Sequence, residues 1–133
     1  MDQGTVLVVD DNPYARQAVC LILTKAGYEV LEADDGHTAI QMMAHASGHS
    51  HVNTIICDLE MPLVTGSETI SHFQRNYPLI PIVILTGASD FTLTEVLNRQ
   101  GVTDYLLKPV SEKRLLETVR VNVRLHELRR SQA

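Results

Sequence analysis

Five polar residues, which could carry phosphate or metal chemistry, stand directly after short apolar runs. They are Asp10 and Asp11 after TVLVV, Asp58 after TIIC, Thr86 after IVIL, and Lys108 after DYLL. If these runs are parallel strands, their carboxyl ends meet at one edge of the sheet, where open α/β proteins bind ligands. The sequence therefore predicts a single polar site built from four separate segments.

The chemistry of this set is that of phosphoryl transfer. Three carboxylates on one rim repel each other unless a cation is present, and Mg²⁺ (or Mn²⁺) suits a site with few carboxylates and open positions for phosphate. Lys108 supplies a compact positive charge and Thr86 a hydroxyl. A nucleophile, a metal and donors for phosphoryl oxygens are the parts that this reaction needs.

Each of these residues is weak evidence by itself. An Asp after a strand most often caps a helix or forms a turn, and a Lys before a proline is usually only exposed. We assign Asp34 and Asp35 to turns on that ground. The prediction depends on the five residues occurring together.

The elements that position the site follow from hydrophobic periodicity. Strands are predicted at Thr5–Val9, Tyr28–Ala33, Thr54–Cys57, Ile80–Leu85 and Asp104–Leu107. Helices are predicted from Pro13 to near Gly27, after the turn at Asp34–Gly36, over Gly66–Asn76 and Ser89–Gln100, and from Ser111 onward. Such βα units in series imply an α/β fold with a parallel sheet covered by helices on both faces.

Composition limits the class of protein. The chain has 133 residues, which fits one domain, and its net charge of −5 argues against a nucleic-acid-binding face. Cys20 and Cys57 lie inside apolar runs and are expected to be buried thiols. Neither a signal peptide nor a membrane-length apolar stretch is recognisable, so we expect a cytoplasmic protein without membrane contact.

Six motifs together are highly specific. They are VVDDNP ending at Pro13, EADDG ending at Gly36, ICDLEMP ending at Pro62, the single Gly66, ILTGA ending at Ala88, and DYLLKP ending at Pro109. Their order and spacing resemble those of response-regulator receiver domains, the phospho-accepting domains of two-component signal transduction. The resemblance covers residues 4 to about 122, and it implies a flavodoxin-like, doubly wound sheet with strand order 2-1-3-4-5.

The resemblance also implies roles for the site residues. Asp58 would accept a phosphoryl group from a histidine kinase or a phosphotransfer protein, and Lys108 would contact that group. Asp10, Asp11, Asp58 and the backbone carbonyl of Glu60 would hold Mg²⁺.

Further roles concern switching and lifetime. Thr86 would move to bind the phosphoryl group, and Tyr105 would swing inward to signal to an output domain or protein. Glu60 and Ala88 match positions that tune dephosphorylation. Thr65 replaces an Asp that is common before Gly66.

The last helix carries two apolar stripes. Leu115, Leu116, Val119 and Val123 are expected to face the sheet. A second stripe, Val121, Leu125 and Leu128, has coiled-coil spacing but is short. We therefore interpret residues 1–122 as the receiver domain, and residues 123–133 as an extension that is a linker, a homodimer seam or a solvated helix end.

Two other functions and one secondary site compete with this interpretation. A haloacid-dehalogenase-like hydrolase uses the same set of Asp, Thr, Lys and Mg²⁺, but it requires an Asp at the position that Glu60 occupies here. A flavodoxin-like cofactor binder needs a phosphate loop, which the acidic DDNP segment would oppose. A zinc site at His45, His49 and His51 is less favoured than a polar loop.

Overall fold

The computed structural model describes residues 3–45, 51–61, 66–87 and 102–132. Five strands form one sheet: β1 (Thr5–Val9), β2 (Glu29–Ala33), β3 (Val52–Asp58), β4 (Ile82–Thr86) and β5 (Asp104–Leu107). All neighbouring strands are parallel and their order is β2-β1-β3-β4-β5, as predicted. The carboxyl ends of the strands therefore share one edge.

Four helices are described: α1 (Pro13–Lys25), α2 (Gly36–Ala44), α3 (Gly66–Asn76) and α4 (Glu112–Gln132). Asn12 caps α1 by accepting from the backbone N–H groups of Tyr14 and Ala15, and Asp35 caps α2 by accepting from Thr38 N. Side-chain caps of this kind satisfy backbone donors that have no partner inside the helix. The helix predicted over Ser89–Gln100 lies outside the described residues.

The core has two halves, one on each face of the sheet. Leu7, Ile55 and Ile84 point toward α2 and α3, where Phe73 and Met43 are fully buried. The opposite face holds the second half, whose members from the strands and from α1 and α4 include Val8, Ile56, Val83, Leu23, Leu115 and Val119. Burial on both faces explains why the strands are continuous apolar runs.

The fourth strand begins later than the predicted Ile80, because of Pro81. Proline has no N–H to donate to a neighbouring strand. Its carbonyl still accepts from Ile55 N at 3.0 Å, so Pro81 forms the entrance to β4 and regular pairing begins at Ile82.

The predictions that both cysteines are buried and that the first apolar stripe of α4 faces the sheet are confirmed. Cys20 and Cys57 are buried free thiols, and burial, followed by the charge of Glu32, raises the pKa of Cys20 to about 12. On α4, Leu115, Val119 and Val123 are buried and Leu116 is partly buried. No helix among the described residues is long and apolar enough to cross a membrane.

The packing of α4 gives a direct stability test. Leu115 is 0% exposed, whereas Leu128 on the same helix is 49% exposed. Leu115→Ala should lower the free energy of unfolding by about 2–5 kcal/mol, because it removes buried methyl groups and leaves a cavity. Leu128→Ala should change it by about 0.5 kcal/mol or less. Urea denaturation measures both, and equal losses would contradict the packing described for α4.

Candidate functional site

Strand register brings the predicted residues to one rim. Val9, the last residue of β1, pairs with Cys57 of β3, so Asp10 and Asp58 follow at the same level. Asp58 in turn pairs with Leu85, one residue before Thr86, and Thr86 pairs with Leu107, one residue before Lys108. Four neighbouring strands thus deliver their last side chains to the same edge.

A buried ion-pair triad forms the centre of the site. Lys108 Nζ lies 3.0 Å from Asp10 Oδ2 and 3.3 Å from Asp58 Oδ2. The two carboxylates are buried, at 0% and 2% exposure, and the Lys108 side chain is about a quarter exposed. One ammonium group therefore bridges two carboxylates whose charges would otherwise face each other in the interior.

Backbone donors hold the other carboxylate oxygens. Asn12 N donates to Asp10 Oδ1 at 2.9 Å, and Glu60 N donates to Asp58 Oδ1 at 3.1 Å. Both donors lie two residues beyond the carboxylate that they contact, so each Asp closes a local turn. The same hydrogen bond therefore forms the turn and fixes the orientation of the carboxylate at the rim.

The acidic residues fit a divalent cation. Ligand oxygens of Asp10, Asp11 and Asp58 lie within 4.8 Å of one another. Asp10 Oδ2 is buried and, beyond its ion-pair contact with Lys108, has no well-aligned hydrogen bond among the described residues. Asp11 is exposed and leaves the cluster open to solvent. Carboxylate oxygens with room for water and phosphate are the donor set that Mg²⁺ prefers.

The pKa values of Asp58 and Lys108 are shifted by burial and by the neighbouring charges. Burial, reinforced by the charge of Asp10, raises the pKa of Asp58 to about 6, although the Glu60 N–H and Lys108 oppose the shift. Burial would lower the pKa of Lys108, but its contacts with Asp10 and Asp58 outweigh burial and raise that pKa. Lys108 is therefore held as a cation, and the carboxylates carry uncompensated negative charge.

The residues predicted to switch lie next to this centre. Thr86 is buried at the end of β4, and its carbonyl accepts from Lys108 N at 2.8 Å. Tyr105, on the edge strand β5, is 44% exposed. The peptide bond between Lys108 and Pro109 is cis. Ala88 lies outside the described residues, and the Glu60 side chain is exposed beside the rim.

Sequence reasoning missed Arg16. Its Nη1 donates to the backbone carbonyl of Asp10 at 2.7 Å, and its Nε pairs with Glu32 at 3.1 Å. Arg16 thus ties the loop after β1 to β2. The available signal was an arginine in the first turn of α1, where the helix dipole disfavours a cation unless it has a partner.

The histidine segment adds no metal site to the described structure. His45 and His51 are both exposed, whereas His49 lies outside the described residues. Where placement is described, the three aspartates are the cluster with metal-binding geometry. The zinc hypothesis for this segment therefore gains no support.

Comparison with known proteins identifies this arrangement. A family model described as the response regulator receiver domain matches residues 6–120. The chain is 35% identical over 124 residues to the transcriptional regulatory protein YrkP of Bacillus subtilis, covering 92% of this chain and 51% of that protein. It is 32% identical over 117 residues to the sensor kinase/phosphatase CqsS of Vibrio cholerae, covering 86% and 16%. The chain thus spans about half of one relative and a sixth of the other.

Solved structures agree with the family model. The chemotaxis protein CheY4 of Vibrio cholerae is 33% identical, with a TM-score of 0.81, over 89% of this chain and 97% of that one. A CheY-like receiver domain from Methanospirillum hungatei shares the fold at a TM-score of 0.85 and 22% identity, over 93% and 96% of the two chains. With the rim geometry and the family match in agreement, the chain belongs to the response-regulator receiver domains of two-component systems.

Proposed function

We propose that Asp58 accepts a phosphoryl group from a phosphohistidine of a sensor kinase or phosphotransfer protein. The observation that carries this proposal is the placement of Asp58 at the rim, 3.3 Å from Lys108 and inside the three-carboxylate cluster. Burying a carboxylate costs free energy unless the charge is paired or binds a metal ion, so such groups are typical of functional sites. Membership of the receiver family supports the same role.

The transfer exchanges one bond for another. An Asp58 carboxylate oxygen attacks phosphorus, the new O–P bond forms, and the P–N bond to the donor imidazole breaks. The electron pair of that bond returns to the imidazole nitrogen, which takes up a proton. Because Asp58 Oδ1 is held by Glu60 N and Oδ2 lies near Lys108, the nucleophile is oriented before the donor arrives.

Asp10, Asp11 and Asp58, with the backbone carbonyl of Glu60, would hold Mg²⁺ (or Mn²⁺). The ion would offset negative charge on the phosphoryl oxygens during transfer. Lys108 would hold its ammonium group on the Asp10 side of the site and contact a phosphoryl oxygen once one is present. Its short contacts with both carboxylates support that role.

Phosphorylation would be read out through Thr86 and Tyr105. A new anion on Asp58 would attract the Thr86 hydroxyl, one residue beyond the strand partner of Asp58. Tyr105 stands exposed on β5, paired with Ile84 two residues before Thr86, and could turn inward into space that Thr86 vacates. This is a two-state element biased by a local charge change, and its output would be a partner domain or protein.

The hydrolase alternative is not favoured. The family match and the five-strand order support a receiver, and Glu60 occupies the place where that hydrolase class needs an Asp. Release of the phosphoryl group would be self-dephosphorylation, tuned by Glu60 and Ala88. The domain itself would be a signalling module rather than a turnover enzyme.

An apolar groove beside Lys108 favours a protein donor. It has a volume of 390 Å³ and is lined by Ala15, Ala18, Val19, Ile22, Leu85, Lys108, Pro109 and Val110. The exposed side chains of Tyr14 and Leu21 extend this surface along α1. A donor histidine must approach Asp58 across the rim, so we propose that the donor protein covers this groove.

Of the C-terminal extension, residues 123–133, the described part (123–132) continues α4 without a break. Val121 is 61% exposed and Leu128 is 49% exposed, and Leu125 between them is partly buried. This apolar stripe supports a homodimer seam or a linker to an output domain as the role of the extension.

The acceptor assignment is tested by labelling. A small phosphodonor with Mg²⁺ should add one phosphoryl group to the wild-type chain, seen as a single shift in intact mass. Asp58→Asn should add none, because an amide oxygen is a poor nucleophile. Asp34→Asn, at an exposed turn, is the matched control and should label normally. Full labelling of Asp58→Asn would overturn the assignment.

The role of Lys108 is tested by the rate of the same reaction. Lys108→Gln should slow labelling by a factor on the order of 10², the usual cost of removing a preorganised charge-stabilising donor. Lys113→Gln, an exposed lysine on α4, should leave the rate unchanged. An unchanged rate in Lys108→Gln would show that the ammonium group does not act on the phosphoryl group.

The groove is tested by comparing donors. Ala18→Arg places a bulky cation on the groove and should slow transfer from a phosphohistidine protein by about tenfold, equivalent to about 1.4 kcal/mol of binding. Labelling by the small phosphodonor should not change. Thr24→Arg, exposed at the far end of α1, should change neither rate. Equal transfer to Ala18→Arg and wild type would place the donor elsewhere.

A further inference from the structure

The buried side of α4 carries a line of polar residues that the receiver chemistry does not use. Thr118, Asn122 and His126 recur every four residues and are 2%, 2% and 6% exposed. Residues four apart lie on one side of a helix, so this polar line runs beside the apolar contacts of α4. Buried polar groups of this kind are retained when they have specific partners.

Asn122 ties the middle of α4 to the sheet. Its Oδ1 accepts from Thr103 Oγ1 at 2.6 Å, and its Nδ2 donates to the Thr118 carbonyl at 2.8 Å. Thr103 Oγ1 also lies 3.0 Å from the Ile82 carbonyl. The helix is therefore tied by a hydrogen bond to Thr103, the residue before β5, as well as by apolar packing.

His126 ties the far part of α4 to β3 and β1. Asn53 Oδ1 accepts from Thr5 N at 2.8 Å, which orients the Asn53 amide so that its NH₂ group faces the imidazole. The Asn53 Nδ2 to His126 Nδ1 distance is 3.1 Å. Because Asn53 Nδ2 can only donate, Nδ1 must accept, so His126 is neutral with its proton on Nε2.

The surroundings of His126 oppose its protonation. Burial, followed by the charges of Arg130 and Arg129, lowers the pKa of His126, while Glu127 acts weakly in the opposite direction. These three charged residues are all on α4. Thr5 and Asn53, on β1 and β3, are uncharged.

Protons can nevertheless reach the ring. His126 and Arg130 line a 400 Å³ groove with Asn76, the last residue of α3, and with Tyr77 and Leu79 from the segment between α3 and β4. The facing side chains of that segment are uncharged, and the titratable phenol of Tyr77 donates to the Met43 carbonyl. The groove therefore gives water access to the edge of the His126 imidazole without adding a compensating carboxylate.

We infer that His126 is a proton-operated latch. Neutral His126 accepts from Asn53 and holds the C-terminal part of α4, residues 125–132, on the sheet. Protonated His126 carries an N–H donor on Nδ1, which faces the donor NH₂ group of Asn53, and it adds a cation beside Arg129 and Arg130. Residues 125–132 are then released from the sheet. The segment through Val123 stays docked through Leu115, Val119 and Asn122.

The direction of the pH effect follows from linkage. The docked state has the lower pKa, so the released state binds the proton more readily. Docking is fully favourable above the ordinary histidine pKa of about 6.5 and weakens as pH falls below that value, by at most about tenfold per pH unit for one proton. Asn53, the partner of His126, lies at the amino end of β3, five residues before Asp58. The latch can therefore act without touching the phosphoryl site.

Hydrogen exchange of the full chain tests the latch. Protection factors, corrected for intrinsic exchange rates, should fall by more than about twofold, and by at most about tenfold, for residues 125–132 between about pH 7.5 and about pH 5.5. Residues 115–121 should stay within about twofold over the same range. His126→Gln retains an acceptor but cannot titrate, so it should remove the pH dependence. His37→Gln, an exposed histidine on α2, should behave as wild type.

Three results would overturn the latch. The first is a pH-independent profile for residues 125–132 in the wild type, and the second is an equal fall in His126→Gln. The third, like the first, comes from the wild-type chain alone, so it does not depend on whether the variant folds. Nitrogen-15 NMR of the imidazole should show Nε2 protonated and Nδ1 bare at neutral pH, and a proton on Nδ1 would contradict the inference.

Discussion

The buried carboxylates of Asp10 and Asp58, held together by Lys108, are the constraint on which the rest of the structure depends. Two such groups could not both stay ionised at the end of a sheet without a counter-charge. Lys108 supplies one positive charge for two negative ones. The remaining negative charge makes the rim receptive to a cation, and through it to a phosphoryl group.

The fold serves this constraint by delivering charge from four different strands. Parallel pairing aligns the ends of β1, β3, β4 and β5, and local turns then aim the side chains. Backbone N–H groups of Asn12 and Glu60 orient the carboxylates, and Arg16 fixes the loop that carries Asp10 and Asp11. The charged side chains at the rim are therefore held by turns of an ordinary kind, which lie at the edge of the sheet.

The parts of the fold and site that follow local rules could be predicted from the sequence. The bounds of β1 and β5, the Asn12 cap and the convergence of Asp10, Asp58 and Lys108 follow from periodicity and from the geometry of parallel sheets. The roles of Arg16, Asn122 and His126 could not be predicted in this way. Their partners lie on other elements, and their distances become short only after the helices have packed.

The central claim is that Asp10, Asp11 and Asp58 share one cation pocket beside Lys108. Anomalous X-ray diffraction from crystals of this chain grown with Mn²⁺ tests it most directly, because the metal is located without reference to any assumed site. We expect one strong anomalous peak, bound by oxygens of these three aspartates, with Lys108 Nζ near Asp58. A fully occupied peak elsewhere, with none at the rim, would contradict the account.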